Sequence, residues 1–343
     1  MAKAKKLPSG SWRVRVYAGD DETGKKIYKS FTAPTKKEAE YMAAEFQMTG
    51  KHKNASTRDI TLREAYERYI ESKSNVLSPS TVREYRRSAN NDLQEIMRYK
   101  LSDLTPEVIQ RAINHYSETH APKTVRNAHA LLSSVLSTYA PDFHLHTGLP
   151  QKQKNMLTIP SEAEVNALLQ AAEGKPLHTA ILLGAVGTLR RSEICALTKF
   201  DLTANGVMVN KAMVLDENKE WVIKNTKTAA GTRFVELPYY VLDELRTVPG
   251  DRVYPYRPST LTNKFILLSE KVLGKKYRFH DLRHYSASVL HAMGVPDLYI
   301  MQRGGWESRE VLNRVYQHVL SDEQKRYNEQ IMQRFTDAFN KQI

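Results

Sequence analysis

The chain of 343 residues is poor in cysteine, in acidic residues and in long apolar runs, and each shortage removes a class of protein. Its single cysteine, Cys195, cannot close an internal disulfide, so a cross-linked scaffold is excluded and a reducing compartment fits. Flanked by Ile194, Ala196 and Leu197, it suits buried packing better than nucleophilic work. No run approaches the length of a membrane-spanning helix, and the N-terminus, MAKAKKLPSG, lacks the apolar core of a signal peptide. The chain therefore reads as soluble and cytosolic. It also contains no P-loop and no acidic cluster suited to metal ions, so ATP-driven and metal-driven chemistry have no motif here. With 51 Lys and Arg against 38 Asp and Glu, the formal net charge is +13. Such a surplus calls for a polyanionic partner, either nucleic acid or an anionic membrane surface.

What is present is sufficient for real cores: 41% of residues are hydrophobic, and the length suggests two or three domains. The positive charge is uneven, +6 over residues 1–56, +1 over 57–150 and +6 over the remainder. The short N-terminal piece is thus the most basic per residue, which marks it as a separate unit.

Within it, S-W-R-V-R-V-Y alternates strictly, with Trp12, Val14 and Val16 on one face and Arg13, Arg15 and Tyr17 on the other, the pattern of a half-buried strand. A turn over 19–24 and a second strand over 25–32 follow. Thr35 then caps a helix, with Glu38 placed to complete a capping box. A small ribbon with a basic polar face fits the major groove of DNA. Residues 52–58 read as a linker. From Thr61 the period becomes helical, through Leu62, Ala65, Tyr66, Tyr69 and Ile70. Further helices start at Ser78 or Ser80, at Thr105-Pro106 and at Pro122, giving a bundle of four or five. Its basic residues gather at Arg83, Arg86 and Arg87 and at Lys123 and Arg126, where helix starts can meet backbone phosphate. A second linker covers 141–154. The final segment is mixed: a helix capped by Ser161 with Glu164, an apolar helix over 178–186, strands over 207–215, 220–223 and 233–237, and helices from Ser259 onward.

Two places concentrate groups suited to phosphate chemistry. In G-T-L-R-R-S-E-I-C-A-L, Arg190 lies on an apolar segment beside Ser192 and Glu193, and a buried arginine needs an anionic partner. In Y-R-F-H-D-L-R-H, His280 and Arg283 are three apart, so on a helix beginning at Asp281 they address one small anion. Trp306, Tyr316 and His318 follow the Gly304-Gly305 break.

The ordered motifs G-T-L-R-R-S-E, T-K-T-x-x-G-T-R, H-D-L-R-H, G-G-W and V-Y-Q-H resemble those of the tyrosine recombinase (phage integrase) family. The resemblance implies an α+β multidomain protein with three parts. These are an arm-type DNA-binding domain over 1–54 with a three-stranded sheet and a helix, a core-binding helical domain over 58–142, and a mostly helical catalytic domain over 155–343 with a small antiparallel sheet. It implies a catalytic set of Arg190, Lys227, His280, Arg283, Trp306 and Tyr316, with Tyr316 as nucleophile and Glu193 and His318 in support. Arg13, Arg15, Tyr17, Arg83, Arg86, Arg87, Lys123 and Arg126 would bind DNA. Lys227 is the expected general acid, with Lys224 as rival. Trp306 stands where most members carry histidine; an indole offers one N-H donor but cannot shuttle protons.

The resemblance further implies no cofactor and no metal, double-stranded attachment-site DNA bound at arm and core sites, a homotetramer on DNA, and accessory DNA-bending or excisionase proteins. It places the chain in a bacterial cytoplasm at the nucleoid, integrating and excising a phage or other mobile element. The tail after Ser321, with Tyr327, Ile331, Phe335 and Phe339 four apart, would dock on a neighbouring protomer. A type IB topoisomerase-like nicking-closing enzyme and a non-catalytic architectural DNA-binding protein are the competing readings.

Overall fold

The computed structural model describes residues 4–20, 26–44, 46, 59–152, 158–226 and 231–339; the side chains of 18–20, 27, 311 and 314–327 fall outside that description. The expected turn near 19–24 lies largely outside the described residues, and the linker over 52–58, Lys227, and the side chains of Tyr316, His318 and Tyr327 lie wholly outside them. The chain divides into two compact units, residues 1–153 and 154–343.

In the first unit, strands β1 (Lys5–Lys6), β2 (Trp12–Asp20) and β3 (Lys26–Ala33) form one antiparallel sheet in sequence order. The alternation in β2 does what the sequence pattern requires. Val14 and Val16 are buried against Ala33 and against Ala39 and Ala43 of helix α1 (residues 36–44), while Arg13 and Arg15 face out. The amide of Glu38 donates to Thr35 Oγ1 at 3.3 Å, so Thr35 caps α1.

The same unit holds four helices around a separate apolar core: α2 (Leu62–Lys73), α3 (Pro79–Asn91), α4 (Pro106–Thr119) and α5 (Pro122–Tyr139). Thr61 and Glu64 form a reciprocal capping box at α2, and proline occupies the first turn of α3, α4 and α5, where its missing N-H costs nothing. Ser78, not Ser80, is the cap residue of α3.

The second unit begins with α6 (Glu162–Ala172), capped by Ser161 and Glu164, and the buried α7 (Pro176–Ala185). A short α8 (Arg191–Ile194) follows. The expected single strand over 207–215 is two: β4 (Gly206–Val209) pairs with β7 (Arg233–Glu236), and β5 (Lys211–Leu215) pairs with β6 (Trp221–Asn225). The ladder changes partner at Asn210, whose carbonyl accepts from the Thr226 amide at 2.8 Å and from Thr226 Oγ1 at 3.2 Å. Helices α9 (Tyr239–Thr247), α10 (Pro258–Leu273), α11 (Phe279–Ala292), α12 (Asp297–Gly304) and α13 (Arg309–Phe339) complete the unit. Helix α11 starts two residues before the expected Asp281. Asp281 takes the third helical position and its carboxylate accepts the Arg278 amide at 2.8 Å, which moves the cap back to Arg278. The tail is continuous with the segment before it, one helix of 31 residues containing Tyr316, and Ile331, Phe335 and Phe339 on it are exposed. Among the described residues no helix is long and apolar enough to cross a membrane.

Candidate active site

A cleft of about 670 Å³ in the second unit is lined by Arg190 with Glu193, Lys224 on β6, His280 with Arg283, and Trp306, with Ala212 and Val214 of β5 beside them. Thus four members of the expected set (Arg190, His280, Arg283 and Trp306) share one cavity, with Lys224, the rival lysine, on its wall. Among the described residues no group of three or more His, Cys, Asp or Glu side chains is gathered as a metal site would need.

Arg283 is only 1% exposed, although a lone buried guanidinium is strongly disfavoured. One of its amino groups, Nη1, donates to the carbonyl of Thr188, and its Cζ lies 3.8 Å from the centre of the Trp306 ring. Its Nε and Nη2 are buried without a hydrogen-bond partner. Burial, reinforced by the nearby Arg190 guanidinium, pulls the pKa of Arg283 well below the usual arginine range.

Arg190 is held on two sides. Its Nη1 donates to Glu193 Oε1 at 2.6 Å and its Nη2 to the carbonyl of Gly305 at 2.5 Å, while its own amide donates to Glu193 Oε2 at 2.8 Å. Gly305 can present that carbonyl because it adopts a left-handed φ of 65°, which ends α12 and reverses the chain before Trp306.

Glu193 was expected in support of the catalytic set. It serves Arg190, and it also serves Arg233, which was not singled out. Arg233 donates through Nη1 and Nη2 to the two Glu193 oxygens at 3.1 and 2.8 Å. Burial by itself would raise the Glu193 carboxyl, but the hydrogen bond and charge of Arg233, with Arg190, hold it below the usual carboxylate range. Arg303, also not singled out, donates to the carbonyls of Val186 at 3.0 Å and Glu236 at 2.9 Å. Two signals for Arg233 exist in the sequence: it ends the motif T-K-T-x-x-G-T-R, and in R-F-V-E it shares the inward face with Val235, a position where a strand packed on a core carries an apolar side chain.

His280 and His284 sit edge to face, ring centres 4.7 Å apart. His280 is exposed at the cleft, yet the loss of solvent on its packed side, then the neighbouring His284 and the Arg283 and Arg190 charges, push it down to about 3. Burial pushes His284 down to about 4 despite the opposing pull of Asp281. Both rings are neutral at physiological pH, so His280 can accept a proton there. A second cavity of about 380 Å³ shares Arg190 and His280 and adds Arg191, Thr262 and Arg278; Arg191 turns to Thr262, donating at 2.6 Å.

The residues expected to touch DNA in the first unit are variously engaged. Arg13 and Arg15 are exposed on the sheet, Arg15 lies over the Tyr28 ring at 5.1 Å, and Tyr17 meets the same ring edge-on. Arg83 pairs with Glu84 at 2.7 Å, and Arg87 with Glu84 at 3.0 Å and Asp92 at 3.3 Å. Arg86 is exposed on α3 and Lys123 in the first turn of α5, whereas Arg126 donates to the Pro150 carbonyl at 2.9 Å.

Residues 160–323 match the phage integrase family, and residues 61–117 match the SAM-like N-terminal domain of phage integrases. A tyrosine recombinase XerC-like protein of Caldanaerobacter subterraneus subsp. tengcongensis is 24% identical over 90% of this chain and 92% of its own. Among solved structures, the integrase of transposon Tn1549 in complex with transposon right-end DNA superposes with a TM-score of 0.61 at 16% identity. That match covers 78% of this chain and 99% of the other. The lambda integrase tetramer bound to a Holliday junction matches with a TM-score of 0.58 at 17% identity, over 89% and 96% of the two chains. With a cleft that gathers Arg190, His280, Arg283 and Trp306 and two family segments in their expected order, the chain belongs to the phage integrase family of tyrosine recombinases.

Proposed function

We propose that this site-specific recombinase cuts and rejoins attachment-site DNA through a 3′-phosphotyrosyl intermediate on Tyr316, and so integrates and excises a mobile element. The observation that carries the reading is electrostatic. Arg190 and Arg233 both bind one carboxylate, Glu193, and Arg283, close enough to feel the charges of all three, keeps two buried donors without a partner beside the cleft. An excess of desolvated positive charge is stable only if an anion completes it. A phosphodiester supplies that anion, and in the transition state its nonbridging oxygens carry more charge, so donors aimed at them lower the barrier.

Arg190 and Arg283 bind the scissile phosphate. The neutral His280 takes part in proton transfer from the phenol of Tyr316, which at its usual pKa near 10 is a poor nucleophile without help. Lys227 protonates the departing 5′ oxygen, with Lys224, on the cleft wall, as the alternative donor. Trp306 holds Arg283 flat and offers its indole N-H to the phosphate. Glu193 orients Arg190, and His318 assists near Tyr316. A tyrosyl phosphodiester retains the energy of the broken bond, so rejoining needs neither ATP nor a metal.

The chain works in three parts: arm binding over 1–54 through Arg13, Arg15 and Tyr17, core binding over 58–142, and catalysis over 155–343. Arg83, Arg86, Arg87, Lys123 and Arg126 serve the core site. A homotetramer acts on two duplexes, as the lambda integrase tetramer on a Holliday junction suggests, with the exposed α13 stripe docking between protomers. The setting is the bacterial cytoplasm at the nucleoid, with accessory DNA-bending or excisionase proteins. Family membership favours this over a topoisomerase-like or purely architectural role.

The test is a nicked duplex spanning the element–host junction, on which the lost fragment traps the cleaved state. The wild type should form a covalent adduct at the 3′ phosphate and Tyr316→Phe should not. An adduct that survives in Tyr316→Phe would sink the assignment of the nucleophile.

A further inference from the structure

Arg233 is 6% exposed and does not line the cleft, yet both guanidiniums assigned to the phosphate depend on what it holds. Its forked pair of bonds to Glu193 fixes that carboxylate in its plane, as a bidentate arginine–carboxylate contact does. Glu193 is then left to accept from the Arg190 amide and from Arg190 Nη1. The third donor of Arg233, Nε, reaches the carbonyl of Arg303 at 2.8 Å. That contact anchors the turn in which Gly305 takes Arg190 Nη2 and Trp306 backs Arg283. The same Arg303 carbonyl accepts Thr188 Oγ1 at 3.2 Å, and the carbonyl of Thr188 takes Arg283 Nη1. Thr188 is buried with a left-handed φ of 57°, a conformation unusual for a β-branched residue and one that these bonds maintain.

The contacts form a frame that runs from Arg190 through Glu193, Arg233 and the Arg303 carbonyl to Thr188 and Arg283. We propose that Arg233 is a positioning residue for strand cleavage, setting the mutual placement of Arg190 and Arg283 from behind the cleft. The inference rests on the reading that those two groups share the scissile phosphate. A residue that merely stabilised β7 would change how much protein folds, whereas a positioning residue changes the rate of the folded protein.

The experiment is a double-mutant cycle on single-turnover adduct formation with the full chain and the nicked junction duplex at saturating protein. It compares wild type, Arg190→Ala, Arg233→Ala and the double variant, with duplex affinity and thermal melts measured alongside. Arg233→Ala should cleave about 10²-fold more slowly, the scale of losing one oriented donor, with duplex affinity little changed. The double variant should lose clearly less than the product of the two single losses, because part of what Arg233 does is done through Arg190, which is already removed. Multiplicative losses, or wild-type cleavage by Arg233→Ala, would overturn the proposal while leaving the recombinase chemistry intact. If Arg233→Ala does not fold, Arg233→Lys carries the cycle. It keeps the charge and loses the fork, so its slowing should be smaller, about tenfold, and equally non-additive. A wild type that forms no adduct overturns both this proposal and the reading beneath it.

Discussion

Arg283 combines near-complete burial, a single carbonyl acceptor and an indole face, an arrangement that stores unfavourable desolvation until an anion arrives. Replacing it should therefore separate stability from activity. Arg283→Lys loses the planar fork and the stacked contact. Cleavage should fall on the order of 10²- to 10³-fold, while the free protein melts at the wild-type temperature or above it. Parallel single-turnover and calorimetric measurements check this, and a variant that loses both together would count against stored strain.

The two histidines make a second prediction at the same scale. Both are held neutral by the fold, His280 down to about 3 and His284 down to about 4, against about 6.5 in an unfolded chain. A histidine with a depressed folded-state pKa contributes stability that is complete above about 6.5 and lost as pH falls toward the folded value, since the unfolded chain then binds more protons. His284 is the buried one, so the loss between pH 6.5 and 4 should be largest for it, at most about 1.4 kcal/mol per pH unit for one proton. His284→Gln should flatten the acid side of a stability–pH curve; an unchanged slope would show that His284 titrates alike in the folded and unfolded chains.

At the scale of elements, the turn between α12 and Trp306 is where geometry leaves least room. A Cβ on Gly304 would lie 2.0 Å from Trp306 Cζ3, so Gly304→Ala must push the indole off Arg283 or shift the helix end. Overpacking of this kind costs about 1–3 kcal/mol, and the displaced ring should slow cleavage as well. A melt and a cleavage assay on the one variant check both parts.

Elements also show what the sequence could carry. The helix starts at Thr61 and Thr105-Pro106 and the cap at Ser161 are local signals, and they were legible because the chemistry that fixes them lies within four residues. The split between β4 and β5 was not legible, because the run V-M-V-N-K-A-M-V-L is almost unbroken and the change of partner at Asn210 is imposed from Thr226, far along the chain. The start of α11 depended on whether Asp281 would cap or be capped, a choice the pattern H-D-L-R leaves open. In the site, Arg190, His280, Arg283 and Trp306 stood in readable motifs. Arg233 closes the motif T-K-T-x-x-G-T-R, yet neither it nor Arg303 showed its role there, since a buried arginine and a surface arginine look alike until the fold supplies the carboxylate or carbonyls that satisfy it.

For the whole molecule, charge is divided by task. Residues 1–56 carry +6 on a small sheet whose outward arginines stand beside tyrosines, while the helical bundle is nearly neutral and several of its basic side chains are occupied by Glu84, Asp92 and the Pro150 carbonyl. Phosphate contacts release counterions, and the slope of log K against log salt is about −0.9 per contact on duplex DNA. If the N-terminal sheet binds a distant site, deleting residues 1–54 should remove several contacts from that slope on a duplex carrying both arm and core sequences. On a core-only duplex the slope and the cleavage rate should stay as they were, because the groups proposed to hold the scissile phosphate belong to the second unit. Titrating both duplexes from low to physiological salt with the full chain and the deletion decides the matter: equal slopes on the long duplex would mean that the basic sheet is only a solvated surface.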